Sequence, residues 1–188
     1  MRTSFRVVVA LSVLLIGATQ ASAQRRAPST GMWALGGSIG GSVPSDPSLS
    51  NGVELVGNVE TYVTRRVSIR GQLGGAWSDI VGRGFTGTIN PVFVDGNIVY
   101  NWEGGVWHPF VTGGVGIYHY RSLLDGAGNG SDTRPGVDLG GGVEYFYSRR
   151  GTITFETLYH AVSQVNTPLT TFNKGQFWTV GVGLKRYF

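Results

Sequence analysis

Hydrophobic and polar residues alternate with a period of two along most of the chain beyond its first thirty residues. Between Trp33 and Val43, for example, Leu35 and Ile39 share one face with these two residues, while glycine and serine fill much of the other face. Such alternation is typical of a strand with two unlike faces, because successive side chains point to opposite sides. No later window has the spacing of an amphipathic helix or a long apolar run. The pattern predicts an all-β protein.

The alternation divides the chain into eight predicted strands, at 33–43, 53–63, 67–78, 92–103, 107–120, 136–147, 152–162 and 176–188. Three connections are tight, at 64–66, 104–105 and 149–151. The four others have about 8 to 14 residues and are rich in Gly, Ser, Asp, Asn and Pro, as loops are. An even number of strands with short turns at one end and long loops at the other indicates a membrane barrel. We therefore expect an eight-stranded antiparallel up-and-down transmembrane β-barrel.

The first residues have the features of an export signal. Arg2 and Arg6 precede an apolar run at 7–16, and small residues follow at 21–23. These features predict a signal peptide at 1–23, cleaved before Gln24. The apolar run is shorter than the roughly 20 residues that a membrane-spanning helix needs. The barrel domain is then expected at 24–188.

Composition narrows the class of protein further. The 188 residues include 31 glycines, and only 14% are charged, whereas an average soluble domain has about 25% charged residues. The absence of cysteine excludes disulfides and thiolate metal sites. Two of the arginines behind the formal net charge of +4 belong to the predicted signal peptide. The charge therefore gives no indication of nucleic-acid binding.

The two faces of the strands differ in a way that favours lipid outside. The non-apolar face consists mainly of Gly, Ser, Thr and Asn, which suit the narrow lumen of an eight-stranded barrel. Tryptophans near strand ends predict two girdles at the membrane interfaces: Trp33, Trp77, Trp102, Trp107 and Trp178. The alternative is a soluble lipocalin-like lipid carrier, because Gly31-Met32-Trp33 matches a lipocalin signature. A soluble barrel needs a charged exterior, which this chain lacks.

Several charged side chains are predicted to face the lumen. Counting outward from Arg65 places Glu60 opposite Arg70, and counting from Arg150 places Glu144 opposite Glu156. Buried charges are normally paired. We expect a luminal charge network of Glu60, Arg70, Glu144, Glu156 and Lys185. Its carboxylates are interpreted as a structural plug and not as acid-base catalysts, because the lumen offers no access to a substrate.

The predicted signal peptide, the eight alternating strands, the unequal turns and the terminal Phe188 resemble the small outer-membrane barrels of Gram-negative bacteria, including the OmpA-like, OmpX and Opa types. The resemblance implies that the barrel-assembly machinery reads the last strand. The residues matching this assembly signal are Trp178, Val180, Val182, Leu184 and Phe188. Arg186 departs from the family pattern, which usually has an apolar or aromatic residue there.

The resemblance also implies a location and partners. We expect a monomer in the outer membrane, with its termini and tight turns in the periplasm and no further periplasmic domain. Expected partners are outer-membrane lipid, lipopolysaccharide and a possible surface ligand at the long loops, without nucleic acid or cofactor. Exposed apolar loop residues are expected to contact that ligand: Leu49, Ile80, Phe85, Leu123, Leu124, Leu169 and Phe172. Eight strands are too few for an aqueous pore, which needs about 16.

An enzymatic alternative is a lipid A deacylase, since some small barrels use a histidine and a serine two residues apart on a lipid-facing strand. Here His160 and Ser163 are three apart and therefore on opposite faces, and Val162 stands at the serine position. His160 is interpreted as an interfacial residue. The three histidines lack metal-ligand spacing. No catalytic, cofactor-binding or metal-binding residue is predicted, and we expect that the protein is not an enzyme.

Overall fold

The computed structural model describes residues 28–80, 87–124, 128–163, 165–166, 171–172 and 175–188. These residues form strands and the connections between them. The strands are β1 (Trp33–Pro44), β2 (Gly52–Tyr62), β3 (Val67–Ile80), β4 (Gly87–Asn101), β5 (Trp107–Leu124), β6 (Gly128–Phe146), β7 (Gly151–Val162), β8 (Val165–Asn166), β9 (Thr171–Phe172) and β10 (Phe177–Tyr187). No helix among the described residues is long and apolar enough to cross a membrane.

Eight of these strands close into one antiparallel barrel in the order β1-β10-β7-β6-β5-β4-β3-β2. Each barrel strand pairs with the next barrel strand along the chain, so that β7 pairs with β10 past β8 and β9. β10 closes the barrel on β1 from Ala34↔Tyr187 to Pro44↔Phe177. The two-residue strands β8 and β9 pair only with each other. Closure leaves the barrel without an unpaired edge. The predicted fold class is confirmed.

The apolar face of every barrel strand points outward. Leu35, Ile98 and Leu139 keep 56%, 65% and 68% of their surface exposed, whereas Glu60 and Arg70 inside keep 1% each. A soluble lipid carrier would need its apolar side chains inside. The structure therefore contradicts the lipocalin-like alternative.

The predicted strand boundaries are close to the observed ones, except where β4, β5 and β6 meet the long loops. β5 has 18 residues and β6 has 19, and they remain paired up to Leu124↔Gly128. The prediction of a loop at 121–135 was wrong for 121–124 and 128–135, which belong to β5 and β6. This prediction was based on the turn-forming residues in that segment. Local strand propensity depends strongly on context, and here pairing with the neighbouring strand continues in the same register.

The apolar residues assigned to the long loops do not form one exposed set. Ile80 is 5% exposed and packs with Ile89, and the half-buried Leu49 packs against the same cluster. The expectation that Ile80 is exposed was therefore wrong, whereas Leu123 is 46% exposed. The positions of Phe85 and Leu169, and the side chains of Leu124 and Phe172, lie outside the described residues.

Candidate functional site

A group of buried charged side chains crosses the lumen near the tight-turn end. Lys185 Nζ donates to Glu60 Oε2 at 2.5 Å and also to Glu144 Oε1. Arg70 donates from Nε to Glu60 Oε2 at 3.2 Å and from Nη1 to Glu156 Oε1 at 2.6 Å. The five residues named from the sequence thus lie in one connected set, which joins β2 and β3 to β6, β7 and β10.

Hydroxyl groups complete this charge cluster. Ser68 donates to Glu60, and Tyr187 donates to Glu144. The Tyr187 hydroxyl also lies 3.2 Å from that of Tyr62. Carboxylates bound by charged donors and hydroxyls form strong hydrogen bonds, so the cluster is held at several points.

The register agrees with one predicted charge pair and contradicts the other. Glu60 lies opposite Arg70, as expected. Glu144 instead lies opposite Thr154, and Glu156 lies opposite Gly142, so the expected Glu144–Glu156 pairing was wrong. The reason is the turn between Phe146 and Thr152, whose centre is one residue earlier than was assumed. A shift of one residue at the centre moves every pair by two positions.

Three further carboxylates line the middle of the lumen, those of Glu54, Asp95 and Asp138, which are 3% to 6% exposed. Asn97 Nδ2 donates to Asp95 Oδ1 at 2.5 Å. No group of His, Cys, Asp and Glu in the described part of the chain is arranged to hold a metal ion.

Aromatic rings meet inside the lumen at the end nearer the long loops. The Phe93 ring lies 5.6 Å from that of Tyr118, and the His160 ring stacks on Phe177 at 4.4 Å. Tyr118 Oη and His160 Nδ1 are hydrogen-bonded at 2.9 Å. Small residues were predicted to line most of the lumen, and this aromatic cluster was not predicted from the sequence. Each of these four residues stands at an inward position in the alternation of its strand. This pattern could have indicated the cluster.

Inward glycines make room for the rings. A Cβ atom on Gly74 would lie 2.3 Å from Cζ of Phe93, and one on Gly136 would lie 2.7 Å from Cε2 of Tyr118. Real Cβ atoms essentially never approach other heavy atoms so closely, and the close-packed interior leaves the rings little room to move away. Part of the high glycine content is therefore explained by aromatic residues inside the barrel.

The position of His160 corrects another expectation. Its side chain is fully buried in the lumen, so the interpretation as an interfacial residue was wrong. Ser163 is exposed beyond the end of β7. A lipid-facing histidine and serine, as the deacylase alternative requires, are not formed by these two residues.

The β5–β6 hairpin continues beyond the apolar band. Its outward face is apolar up to the pair Ile117↔Pro135 and becomes polar at the next outward pair, His119↔Thr133. His119 Nδ1 and Thr133 Oγ1 are hydrogen-bonded at 2.8 Å. Since the polar change lies within paired strands, the hairpin presents an ordered surface outside the lipid.

The five tryptophans of the predicted girdles lie near the strand ends. Trp33, Trp102 and Trp107 are at the tight-turn end, and Trp77 and Trp178 are at the other end. Four of them are 45% to 47% exposed, and Trp107 is half-buried.

The terminal strand presents its predicted assembly residues on one face. The outward and exposed side chains are Trp178, Val180, Val182, Leu184 and Phe188. Arg186 shares this face, and its guanidinium carbon lies 5.6 Å from the centre of the Phe188 ring. Phe188 in turn stacks on Trp33 with ring centres 4.2 Å apart. The recognition of this strand by the assembly machinery stays a prediction.

A closed eight-stranded barrel with an apolar exterior and a polar interior defines an integral outer-membrane β-barrel protein. Residues 10–188 match the model of the outer membrane protein beta-barrel domain, and the chain belongs to this family. Its location is the outer membrane, where its outward face meets lipid. No curated protein sequence matches the chain.

Solved structures share the fold at low sequence identity. Neisserial surface protein A is 12% identical, with a TM-score of 0.65 over 84% of this chain and 99% of that one. OprG from Pseudomonas aeruginosa is 12% identical, with a TM-score of 0.63 over 85% and 97%. Ail, the attachment invasion locus protein of Yersinia pestis, is 10% identical, with a TM-score of 0.60 over 85% and 99%. At these identities the likeness shows the fold alone.

Proposed function

We propose that the protein is a non-conducting, non-catalytic outer-membrane barrel with a plugged lumen, which acts through the surface-exposed end of its β5–β6 hairpin. The observation that carries this proposal is that side chains meet across the lumen at two levels, in the charge cluster near the tight turns and in the aromatic cluster near the loops. A filled lumen leaves the outer surface as the place where the protein acts.

The charge cluster supports closure because its side chains come from opposite sides of the barrel. Arg70 on β3 reaches Glu156 on β7, and Lys185 on β10 binds Glu60 on β2 and Glu144 on β6. A hydrated ion would have to displace several charged hydrogen bonds, which are among the strongest in proteins. The aromatic cluster adds a second barrier, from β4, β5, β7 and β10.

The hairpin supports a surface role. A tilted membrane strand needs about 9 to 11 residues, so the 18 residues of β5 extend well past the bilayer. The excess of about 7 residues corresponds to roughly 15 Å of projection at 3.3 Å per residue and 45° tilt. Binding surfaces are commonly carried on the loop ends of a rigid scaffold.

The charge of the hairpin indicates the kind of surface it contacts. Arg134 Nε lies 2.8 Å from Asp132 Oδ2, so these two charges offset each other, whereas the exposed Arg121 lies opposite Ser131 on the outward face. Ail is known in complex with the heparin analogue sucrose octasulfate. For this chain we propose a polar surface of mixed charge as the contact, with heparin as the comparison probe.

Closure is tested by conductance. The folded protein, inserted into planar lipid bilayers, is expected to show no stepwise current, whereas a porin of 16 strands in the same bilayers gives clear steps. Regular current steps from the wild-type protein would contradict the plugged lumen.

The surface role is tested by shortening the hairpin. A variant in which Asn-Gly replaces 119–133 keeps the barrel and supplies a two-residue hairpin turn. We expect cells carrying it to lose most of their adhesion to a polar surface of mixed charge, measured beside a heparin-coated surface, and an Arg65→Ser control at the opposite end to keep it. Heat-modifiable migration on gels verifies folding of both. Equal adhesion of wild-type and shortened protein would overturn the surface role.

A further inference from the structure

The lipid-facing surface formed by β7, β10, β1, β2, β3 and the edge of β4 combines an open apolar groove with exposed arginines at its periplasmic end. We propose that this surface holds one anionic phospholipid of the periplasmic leaflet, with its acyl chain in the groove and its phosphate on Arg186 and Arg150. This inference concerns a lipid site on the outside of the barrel and is independent of whether the lumen conducts.

The groove is a shallow, open depression of about 960 Å³ in the outward surface, lined from Ile153 on β7 to Val92 on β4. Gly37 and Gly57 are paired across β1 and β2 and form part of its floor. A Cβ atom on Gly57 would meet nothing within 4 Å, so the missing side chain leaves open space there. Larger apolar side chains, including Ile39, Leu55 and Leu184, form its walls.

The position of the groove along the membrane normal determines the chemistry of its occupant. Gly37 lies opposite Leu184 on β10, between Trp33 at the tight-turn end and Trp178 at the other end of the same two strands. A position between two aromatic girdles is at the level of the hydrocarbon. An occupant there must be apolar, because hydrocarbon cannot satisfy exposed polar groups. An acyl chain meets this requirement.

The arginines lie at the end of the groove nearest the tight turns. Arg186 is exposed, shares the outward face of Leu184 and is paired with Gly151. Its guanidinium lies over the Phe188 ring at 5.6 Å, and this ring stacks on Trp33. The exposed Arg150 is adjacent, because its carbonyl accepts a hydrogen bond from the Tyr187 N–H at 2.8 Å.

The chemistry of this pair favours a phosphate. A guanidinium donates two parallel hydrogen bonds to phosphate oxygens, and arginine suits such binding better than lysine. Among the described residues, Arg186 forms no ion pair, whereas Arg66 at another tight turn lies 3.8 Å from Glu103. The positive charge at Arg186 is thus available to an anionic head group.

A second copy of the chain fits this surface less well than a lipid. A two-fold axis along the membrane normal would place the same arginines of both copies at the same depth and close together. Like charges brought together oppose such an association. The arginines at this end of the groove therefore favour binding of an anionic lipid and disfavour association with a second copy.

Native mass spectrometry tests the head-group site. Folded protein in neutral detergent is titrated with phosphatidylglycerol and, separately, with phosphatidylcholine of the same acyl chains. We expect one tight phosphatidylglycerol adduct and weaker phosphatidylcholine binding. Each arginine near a membrane surface contributes about fivefold in affinity. The double variant Arg150→Gln/Arg186→Gln should therefore weaken phosphatidylglycerol binding by about 25-fold.

The matched control removes the same charge at another tight turn. Arg65→Gln/Arg66→Gln should weaken binding by less than about threefold, because the turn between β2 and β3 lies two to three strand spacings, or roughly 10 to 14 Å, from β10, and exposed charges separated by about a Debye length are largely screened. An equal loss of affinity in both double variants would show that net charge, and not a specific site, attracts the lipid. That result would overturn the proposal. Inorganic phosphate, added as competitor, should not displace the lipid. Displacement by inorganic phosphate would show that the acyl chain adds nothing, and would also overturn it.

A second pair of variants tests the groove. Gly57→Leu places a bulky side chain on its floor, whereas Gly96→Leu adds the same side chain on the outward face of β4, where a Cβ atom also meets nothing within 4 Å. We expect Gly57→Leu to reduce lipid retention at least fivefold and Gly96→Leu to leave it unchanged. Only preparations with full heat-modifiable migration are compared, so that a folding defect is not counted. Equal retention by both variants would exclude the groove as the acyl-chain site.

Discussion

Arg70 and Glu156 form an ion pair across the lumen, with 2.6 Å between Nη1 and Oε1, although they are 86 positions apart in the chain. Arg70 also binds Glu60 and is 1% exposed. It therefore holds together carboxylates from two strands that are not neighbours in the barrel. Lys185 is the other cation of the charge cluster.

The first prediction concerns Arg70→Met. Removal of the guanidinium leaves a buried carboxylate without its partner, and such a change costs about 3 to 5 kcal/mol. The free energy of unfolding in lipid vesicles, measured by urea titration, should fall by that amount. Arg65→Met at an exposed turn should change it by less than about 0.5 kcal/mol. Equal stability of the two variants would show that the buried pair does not stabilise the barrel.

The second prediction concerns the contact between Lys185 and Glu144. A double-mutant cycle with Lys185→Met and Glu144→Gln should give a coupling energy of about 1 to 3 kcal/mol, since the two groups share one buried network. The exposed pair Arg66 and Glu103 serves as the comparison. Its coupling should be below about 1 kcal/mol, because exposed ion pairs are weak. Additive effects in the first cycle would remove the evidence for a connected cluster.

The two hairpins of the charge cluster show what alternation alone predicts. Alternation gives the face of each strand, and it placed the side chains of Glu60, Arg70, Glu144, Glu156 and Lys185 inward. Register depends on turn geometry, and the turn between Phe146 and Thr152 has a centre that counting from an arginine does not locate. One pair was therefore predicted correctly and the other was not.

The aromatic cluster was missed for a different reason. The inward parity of Phe93 and Tyr118 is visible within each strand. Which rings meet across the lumen depends on the stagger and tilt of all eight strands, and local pattern does not contain that information. The long β5–β6 pairing was also missed, because Gly, Asp and Pro in that segment indicate a loop by composition.

The third prediction compares two glycines with opposite surroundings. Gly74→Ala would place Cβ against the Phe93 ring, and overpacking of this kind costs about 1 to 3 kcal/mol. Gly57→Ala meets nothing within 4 Å and should be neutral or stabilising. Unfolding in vesicles measures both. In a Phe93→Leu background, Gly74→Ala should lower the free energy of unfolding by less. An unchanged loss of stability would show that the added Cβ atom does not clash with the Phe93 ring.

The last prediction concerns the terminal residue. Phe188 stacks on Trp33 and donates its N–H to the Trp33 carbonyl at 2.8 Å, so it joins the last strand to the first. We expect Phe188→Ala to lower the heat-modifiable fraction in cells several-fold, because the assembly machinery is predicted to read this residue. Phe155→Ala on β7 is the matched control, since the two side chains are 44% and 49% exposed. Refolding of the purified chains into detergent separates recognition from stability. Loss of the ring pair alone removes only about 0.5 to 1.5 kcal/mol, so Phe188→Ala should still refold. A defect of equal size in cells for both variants would contradict a specific role of the terminal residue in assembly.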